Sequence, residues 1–305
     1  MMRRFASLAA FLLFAALPVL TQQAQPDWDK VQIKLEKLDN YVYLVQGFGG
    51  NIGAYVGDDG IVLIDTEQVQ LGPKIEAALK TISDKPVKYV LNTHWHGDHT
   101  GGNAYFGKTA IVIAQEDVRE TMQTETDRLG RITNLPVSLP VLTFSDQFTL
   151  HMRGGDIHAV HFAKGHSSSD TVVFMPGGKV VHAGDVFTNF TPPNFPAVDF
   201  EGDGSGGVQG MRAACEYVLA HAPEDAKIIP GHGNLGTKAD LAKYLEVLNG
   251  TVGAIQAGIN QGKNLEQLER ENVLAKWSSI GQGAKANNYI ERVYKSLTVH
   301  SSHGQ

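Results

Sequence analysis

Within six residues, His94, His96, Asp98 and His99 place three imidazoles beside a carboxylate, in the run Asn92-Thr93-His94-Trp95-His96-Gly97-Asp98-His99-Thr100-Gly101-Gly102-Asn103. Neutral imidazole and carboxylate are the donor set of zinc and its borderline neighbours. Side chains two apart on an extended backbone point the same way, so His94 and His96 can grip one ion together. Asp98 and His99 follow as the chain turns, and can face a second point close by. Gly97, Gly101 and Gly102 leave the backbone free to bend there. Three later residues have a similar setting: His166 after Lys164-Gly165, Asp185 after Ala183-Gly184, and His232 between two glycines. Each follows a predicted strand, and each has a glycine neighbour that allows close approach.

Strand ends must hold these residues. The apolar run Val87 to Leu91 leads into the histidine cluster and reads as a buried strand. Upstream, Val31 to Leu38, Tyr41 to Gln46, Ile52 to Val56 and Ile61 to Ile64 carry the alternation or the β-branched and aromatic content of strands. Gly47 to Asn51 reads as a flexible connection. Asp65, at the end of Leu63-Ile64, is either a turn former or a carboxylate that orients a metal ligand from behind. Gln70 to Ile82 has Ile75, Ala78 and Leu79 on one face, which predicts a helix. Further strands are expected at Ala110 to Ile113, Gln147 to Met152, Ile157 to Phe162, Thr171 to Phe174, Lys179 to His182 and Lys227 to Ile229. Helices are expected at Gln115 to Arg128, Gln209 to Leu219, Lys238 to Gln261, Gln267 to Lys276 and Ala286 to Leu297. Thr188 to Gly207 reads as an irregular loop.

The chain has 305 residues, 32 Asp and Glu against 26 Lys and Arg, and a formal charge of -6. That balance argues against nucleic acid, whose binding rests on neutralising phosphates with a basic face. Arg3 and Arg4 followed by the apolar run Phe5 to Leu20 read as a secretory signal over residues 1–24, too short and wrongly flanked for a membrane span. A periplasmic or secreted protein without a stable membrane span is the expectation. The single cysteine, Cys215, excludes an intramolecular disulfide and reads as a buried thiol.

From Val31 to Gly233 the sequence resembles the metallo-β-lactamase superfamily. The family's His-x-His-x-Asp-His loop is matched by His94, His96, Asp98 and His99, and its later His, Asp and His by His166, Asp185 and His232. The resemblance implies an α/β fold, an αββα sandwich of two mixed β-sheets flanked by helices. Residues 25–236 would form that domain and 237–305 a C-terminal helical extension packed on it. It also implies two Zn2+ ions, with Mn2+ or Fe2+ as alternatives. His94, His96 and His166 would hold the first, Asp98, His99 and His232 the second, and Asp185 would bridge them. Two such ions about 3.5–4 Å apart can share a hydroxide and clamp an oxyanion, so no serine or cysteine nucleophile is needed. Asp98 could also act catalytically, steering the nucleophile or taking its proton.

The implied reaction is hydrolysis of an amide, lactam, lactone or ester in a small molecule. Phe48, Asn51 and Trp95, with Phe187 to Phe195, are candidates for the pocket wall. Many zinc β-lactamases carry a metal-binding cysteine where Asp185 stands and a lysine where Thr188 stands, which argues against strong β-lactamase activity. The bridging aspartate is closer to glyoxalase-II-type enzymes and lactonases, although glyoxalase II is normally cytosolic. Both a true β-lactamase and a glyoxalase-II-like thioester hydrolase remain alternatives. A non-enzymatic, metal-stabilised binding protein is the alternative from another class.

Overall fold

The computed structural model describes residues 26–125, 134–190, 206–277 and 284–298. The expected signal segment therefore lies outside the described residues, as does most of the 188–207 loop. Strand β1 (Lys34–Lys37) is short and mostly exposed; Lys34 already lies opposite Gln46, the last residue of β2 (Val42–Gln46), so Val31 to Ile33 run past the end of that partner. Then come β3 (Ile52–Gly57) and β4 (Gly60–Ile64), whose every residue is buried. Helix α1 (Gly72–Lys80) crosses to β5 (Val87–Leu91), and two single-turn helices follow, α2 (Gly97–Thr100) and α3 (Asn103–Phe106). Strand β6 (Ile111–Gln115), α4 (Glu116–Thr124) and β7 (Leu142–Phe144) complete the first half. The second half runs β8 (Gln147–Met152), β9 (Gly155–His161), β10 (Thr171–Phe174), β11 (Val180–Asn189), α5 (Val208–His221), β12 (Lys227–Gly233) and β13 (Gly236–Thr237). Helices α6 (Lys238–Asn260), α7 (Leu265–Arg270) and α8 (Ala284–Thr298) follow.

Among the described residues, β1 to β7 form a seven-stranded sheet in sequence order, and the other six strands form a second sheet in the order β13-β12-β11-β10-β9-β8. Both sheets are mixed. In the first, β4, β5, β6 and β7 pair in parallel; in the second, β11 and β12 do. Buried Leu44, Tyr55, Val62, Ile64, Leu91 and Ile113 face Ile157, Ala159, Val173 and Ile229 across the gap between the sheets. The opposite face of the first sheet packs Leu63, Val90 and Val112 on Leu71, Ile75 and Leu79. The outer face of the second packs Val181 and Ala183 on residues from α5, α6, α7 and α8. Both faces of each sheet are thus covered, which is why β4 is an uninterrupted apolar run rather than an alternating one. The architecture is the αββα sandwich.

Several boundaries differ from the sequence expectation, β1 and α4 among them, each shorter than the run that predicted it. β11 continues past His182 through Asp185 to Asn189, and β12 continues past Ile229 through His232 to Gly233. Their parallel pairing slips register between His182 and Thr188, where Gly184 lies opposite Pro230. Proline is tolerated in a strand at such irregularities. The expected 267–276 helix stops at Arg270, and Asn272 turns left-handed at φ 48° soon after.

Cys215, on α5, is buried within the outer core, and burial pushes its thiol up to about 12. A thiol reagent at about pH 8 should therefore modify it only after denaturation, since the thiolate is the reactive form. Labelling of the native protein at the rate of a free thiol would contradict this packing. No helix among the described residues is long and apolar enough to cross a membrane.

Candidate metal centre

The turn Asp65-Thr66-Glu67 at the end of β4 organises one side of the site. Asp65 and Glu67 are fully buried and adopt left-handed backbone angles, φ 67° and 53°. Such strain persists only where surrounding contacts dictate it. Asp65 Oδ1 accepts a hydrogen bond from Thr93 N (2.8 Å), and Oδ2 accepts from Thr93 Oγ1 (2.7 Å). Asp65 Oδ2 also lies 2.8 Å from His99 Nδ1, which donates to it. The Thr93 hydroxyl has given its only proton to Asp65, so its 3.0 Å contact with His94 Nδ1 makes that nitrogen the donor. Asp65 thereby engages Nδ1 of His99 directly and Nδ1 of His94 through Thr93, which turns Nε2 of both rings towards the site, where a bound cation would take the place of any proton.

The stretch after β5 is bent rather than extended, so His94 and His96 do not align by the strand alternation that their spacing predicts. They converge instead through different ring atoms. His96 Nδ1 lies 3.1 Å from His94 Nε2 and 2.9 Å from His166 Nε2. His166 arrives from the turn after β9, whose backbone is held by the buried Asp170 through Ser167 N and Oγ. Asp98 and His99 come from α2. His232 Nε2, from β12, lies 3.2 Å from Asp98 Oδ2 and 3.4 Å from His99 Nε2. Asp185, from the irregular stretch of β11, stands between the groups: Oδ1 is 3.2 Å from His99 Nε2, while Oδ2 is 3.4 Å from His166 Nε2 and 3.5 Å from His232 Nε2. Two glycines make room for this. A Cβ on Gly231 would sit 1.7 Å from Asp185 Oδ1, and one on Gly50 would sit 2.2 Å from the His99 ring.

The charges are strongly coupled. Burial first, and then the neighbouring rings of His99, His166 and His96, drive His94 far down towards the neutral form against the opposing pull of Asp185. For His99 and His232 burial acts the same way, but Asp185 with Asp65 or Asp98 outweighs it; His99 ends well above the usual imidazole range and His232 rises to about 9. Burial pushes Asp185 and Asp98 up, yet the surrounding imidazoles hold both below the usual carboxylate range.

The donors separate into two sets whose atoms lie within 4.8 Å of one another: His94, His96, His166 and Asp185, and then Asp98, His99 and His232. The fit to cations rests on what the protein leaves unsatisfied. Imidazole nitrogens of His94, His96 and His166 face one another at hydrogen-bond distance, and the buried Asp185 Oδ1 accepts no hydrogen bond. Lone pairs turned inward from two sides of a buried carboxylate suit divalent ions.

A family model for the metallo-beta-lactamase superfamily matches residues 45–232, more than half of the chain. The chain belongs to the metallo-β-lactamase superfamily. Its members are metal-dependent hydrolases. Among curated relatives of this superfamily chain, the type 2 metallo-beta-lactamase of Bacteroides fragilis is 23% identical over 259 residues, covering 77% of this chain and 96% of the relative. The linear primary-alkylsulfatase of a Pseudomonas species is 23% identical over 175 residues, 45% of this chain and 33% of the relative. Among solved structures, a metallo-beta-lactamase from Pontibacter korlensis aligns with TM-score 0.58 at 20% identity, covering 72% of this chain and 99% of that one. The DIM-1 metallo-beta-lactamase aligns with TM-score 0.59 at 16% identity, with the same coverage. These structural likenesses speak for the superfamily's fold.

Of the expected wall residues, Phe48 is more than half exposed, on the loop beside Asp98. Trp95 packs on Val118 and Met122 and turns its ring edge towards His96, 4.4 Å between centroids. Asn51 is not a wall residue: it is buried, and its amide donates to the carbonyls of Pro230 and Gly233. Phe187 is core, against Tyr244, while Phe190 stacks beside His232 at the mouth; 191–195 lie outside the described residues. Sequence reasoning passed over Glu67, Thr93 and Asp170. Only Asp170 offered a signal, as a carboxylate between serines and a strand.

Proposed function

We propose that the protein is an exported dinuclear zinc hydrolase that cleaves an amide, lactam, lactone or ester bond of a small molecule. The observation that carries this reading is the convergence of seven side chains, from both sheets, on two donor sets that share Asp185. His94, His96, His166 and Asp185 would hold one ion; Asp98, His99 and His232 the other, with Asp185 between them. Bound divalent ions supply Lewis acidity and make water a nucleophile near neutral pH.

The chain's own contributions follow from its geometry. Asp65 and Thr93 keep the imidazole lone pairs aimed inward. Asp98 is ionised and partly exposed, at the boundary between donors and solvent, so it can accept the proton that an attacking water gives up. Asp98→Asn is expected to lower turnover on the order of 10²-fold while circular dichroism and melting temperature stay near wild type; undiminished turnover would remove Asp98 from the catalytic role.

A true β-lactamase is the second reading, favoured by the Bacteroides fragilis relative matched over nearly its whole length. Against it, Asp185 and Thr188 replace the cysteine and lysine expected in many such enzymes, and Thr188 is buried in β11, where it offers no cation to a substrate carboxylate. Purified protein loaded with zinc should be assayed on lactones, aryl esters, amides, thioesters, alkyl sulfates and the chromogenic lactam nitrocefin, with a chelator control. Chelator-sensitive turnover of esters or lactones with slow nitrocefin hydrolysis fits the first reading, and fast nitrocefin hydrolysis the second. Full metal content with no turnover on any member would overturn both in favour of a binding protein.

A further inference from the structure

The Gly47 to Asn51 connection, flexible by composition, is tied down in its middle and at its far end. At its far end Asn51 N donates to Gly231 O (2.7 Å). Beside the site, Gly50 N donates to Asp98 O (3.1 Å). In its middle, Phe48 N and Gly49 N both donate to Glu67 Oε2, at 2.8 and 2.9 Å. Glu67 is fully buried, and its other oxygen accepts no hydrogen bond. Burying a carboxylate is costly, and the left-handed turn it occupies would be served at lower cost by glycine or asparagine. The carboxylate's evident work is on the loop.

That loop presents Phe48, 55% exposed, at the lip of the site. The Trp28 ring meets Phe48 edge-on, 5.5 Å between centroids. Trp28 is itself held, because Lys74 Nζ on α1 donates to the carbonyls of Trp28, Asp29 and Val31. The exposed ring of Phe190 lies beside His232. Two exposed aromatic rings thus accompany the second donor set, Phe48 through its loop beside Asp98 and Phe190 beside His232.

We infer that Glu67 is a positioning residue: it fixes the loop that carries Phe48 beside Asp98, and so selects a small substrate with an apolar group next to the scissile bond. This rests on the hydrolase reading above. Glu67 touches no reacting atom; it acts through the amides of Phe48 and Gly49.

The test compares wild type, Glu67→Ala, Glu67→Gln and Phe48→Ala, with metal content measured in each. The substrates are a phenyl-bearing ester or lactone and its methyl counterpart. Glu67→Ala is expected to keep its metal and raise KM for the phenyl substrate on the order of tenfold, as the loss of charge-assisted hydrogen bonds implies. It should change kcat, and the methyl substrate, much less. Phe48→Ala should reproduce that pattern. Glu67→Gln, whose carbonyl can still accept both amides, should restore KM to near wild type. An unchanged KM in Glu67→Ala, an equal loss on both substrates, or no rescue by glutamine would overturn the inference. Amide hydrogen exchange reads the same loop without any substrate: Phe48 and Gly49 should be protected in wild type and exchange faster in Glu67→Ala, or in Glu67→Asp if the alanine variant does not fold. Fast exchange in wild type would sink the inference even if the enzyme is active. Slow exchange with no hydrolysis on any substrate would instead sink the hydrolase reading and leave the loop anchor standing.

Discussion

Replacing Asp185 by alanine is expected to lower turnover on the order of 10³-fold or more, as loss of a group central to charge stabilisation does, and to reduce bound metal to at most one ion per chain. Asp185 is within 3.5 Å of His99, His166 and His232, so no other side chain can take its place between the two sets. Its removal leaves the five imidazoles of the two sets with no carboxylate between them. Breaking a buried charged cluster from one side costs about 3–5 kcal/mol, so the metal-free variant should also melt earlier. Elemental analysis together with turnover decides the matter. Two ions retained with wild-type activity would show that Asp185 is only a structural acid.

Asp65→Asn makes the second large prediction and isolates a subtler effect. Asparagine tolerates the left-handed backbone of this position, so the turn itself should survive. The carbonyl oxygen of the substituted amide would go on accepting from Thr93 N, which puts the new NH2 where Oδ2 now receives Thr93 Oγ1 and His99 Nδ1. An NH2 cannot accept from either. His99 must then move its proton to Nε2, the atom that faces Asp185 and His232, and the Thr93 hydroxyl is released from its role behind His94. Metal affinity is expected to fall about 10–100-fold, the usual cost of losing a group that orients ligands, with the Asp98, His99 and His232 set affected most. Competition with a chromophoric chelator measures it. Affinity equal to wild type would mean that the tautomers are set elsewhere.

The ligands were legible because their chemistry is poorly suited to packing: three histidines in six residues after an apolar run have little reason to be there unless they bind something. The rest of the site was harder to read for physical reasons. Alternation fails across Ala183 to Thr188, where β11 is buried throughout and shifts register, so the sequence points to a strand that stops at His182. Pro230 and two glycines likewise speak against a strand through His232, yet β12 runs there because an irregular pairing absorbs them. Glu67 looks like a surface residue after a strand, since glutamate is almost never fully buried unless paired; its partners are backbone amides of a distant loop, which no local pattern reveals. The helical layers were clearer. α6 starts where the sequence places it, at Lys238, and the structure adds a reciprocal cap between Thr237 and Asp240.

Each donor set takes members from both halves of the sandwich: residues following β5 on one side, and residues on or beside β9, β11 and β12 on the other. Cations held there would act as rivets between two leaves that are otherwise joined by a greasy interior and a few backbone contacts such as Thr171 N to Thr93 O. Stripping them should let the leaves part along that spine before either unravels, so proteolysis of the chelated protein should begin at the mouth. Resupplying metal at a thousandfold excess over its dissociation constant would restore about 4 kcal/mol of resistance to unfolding.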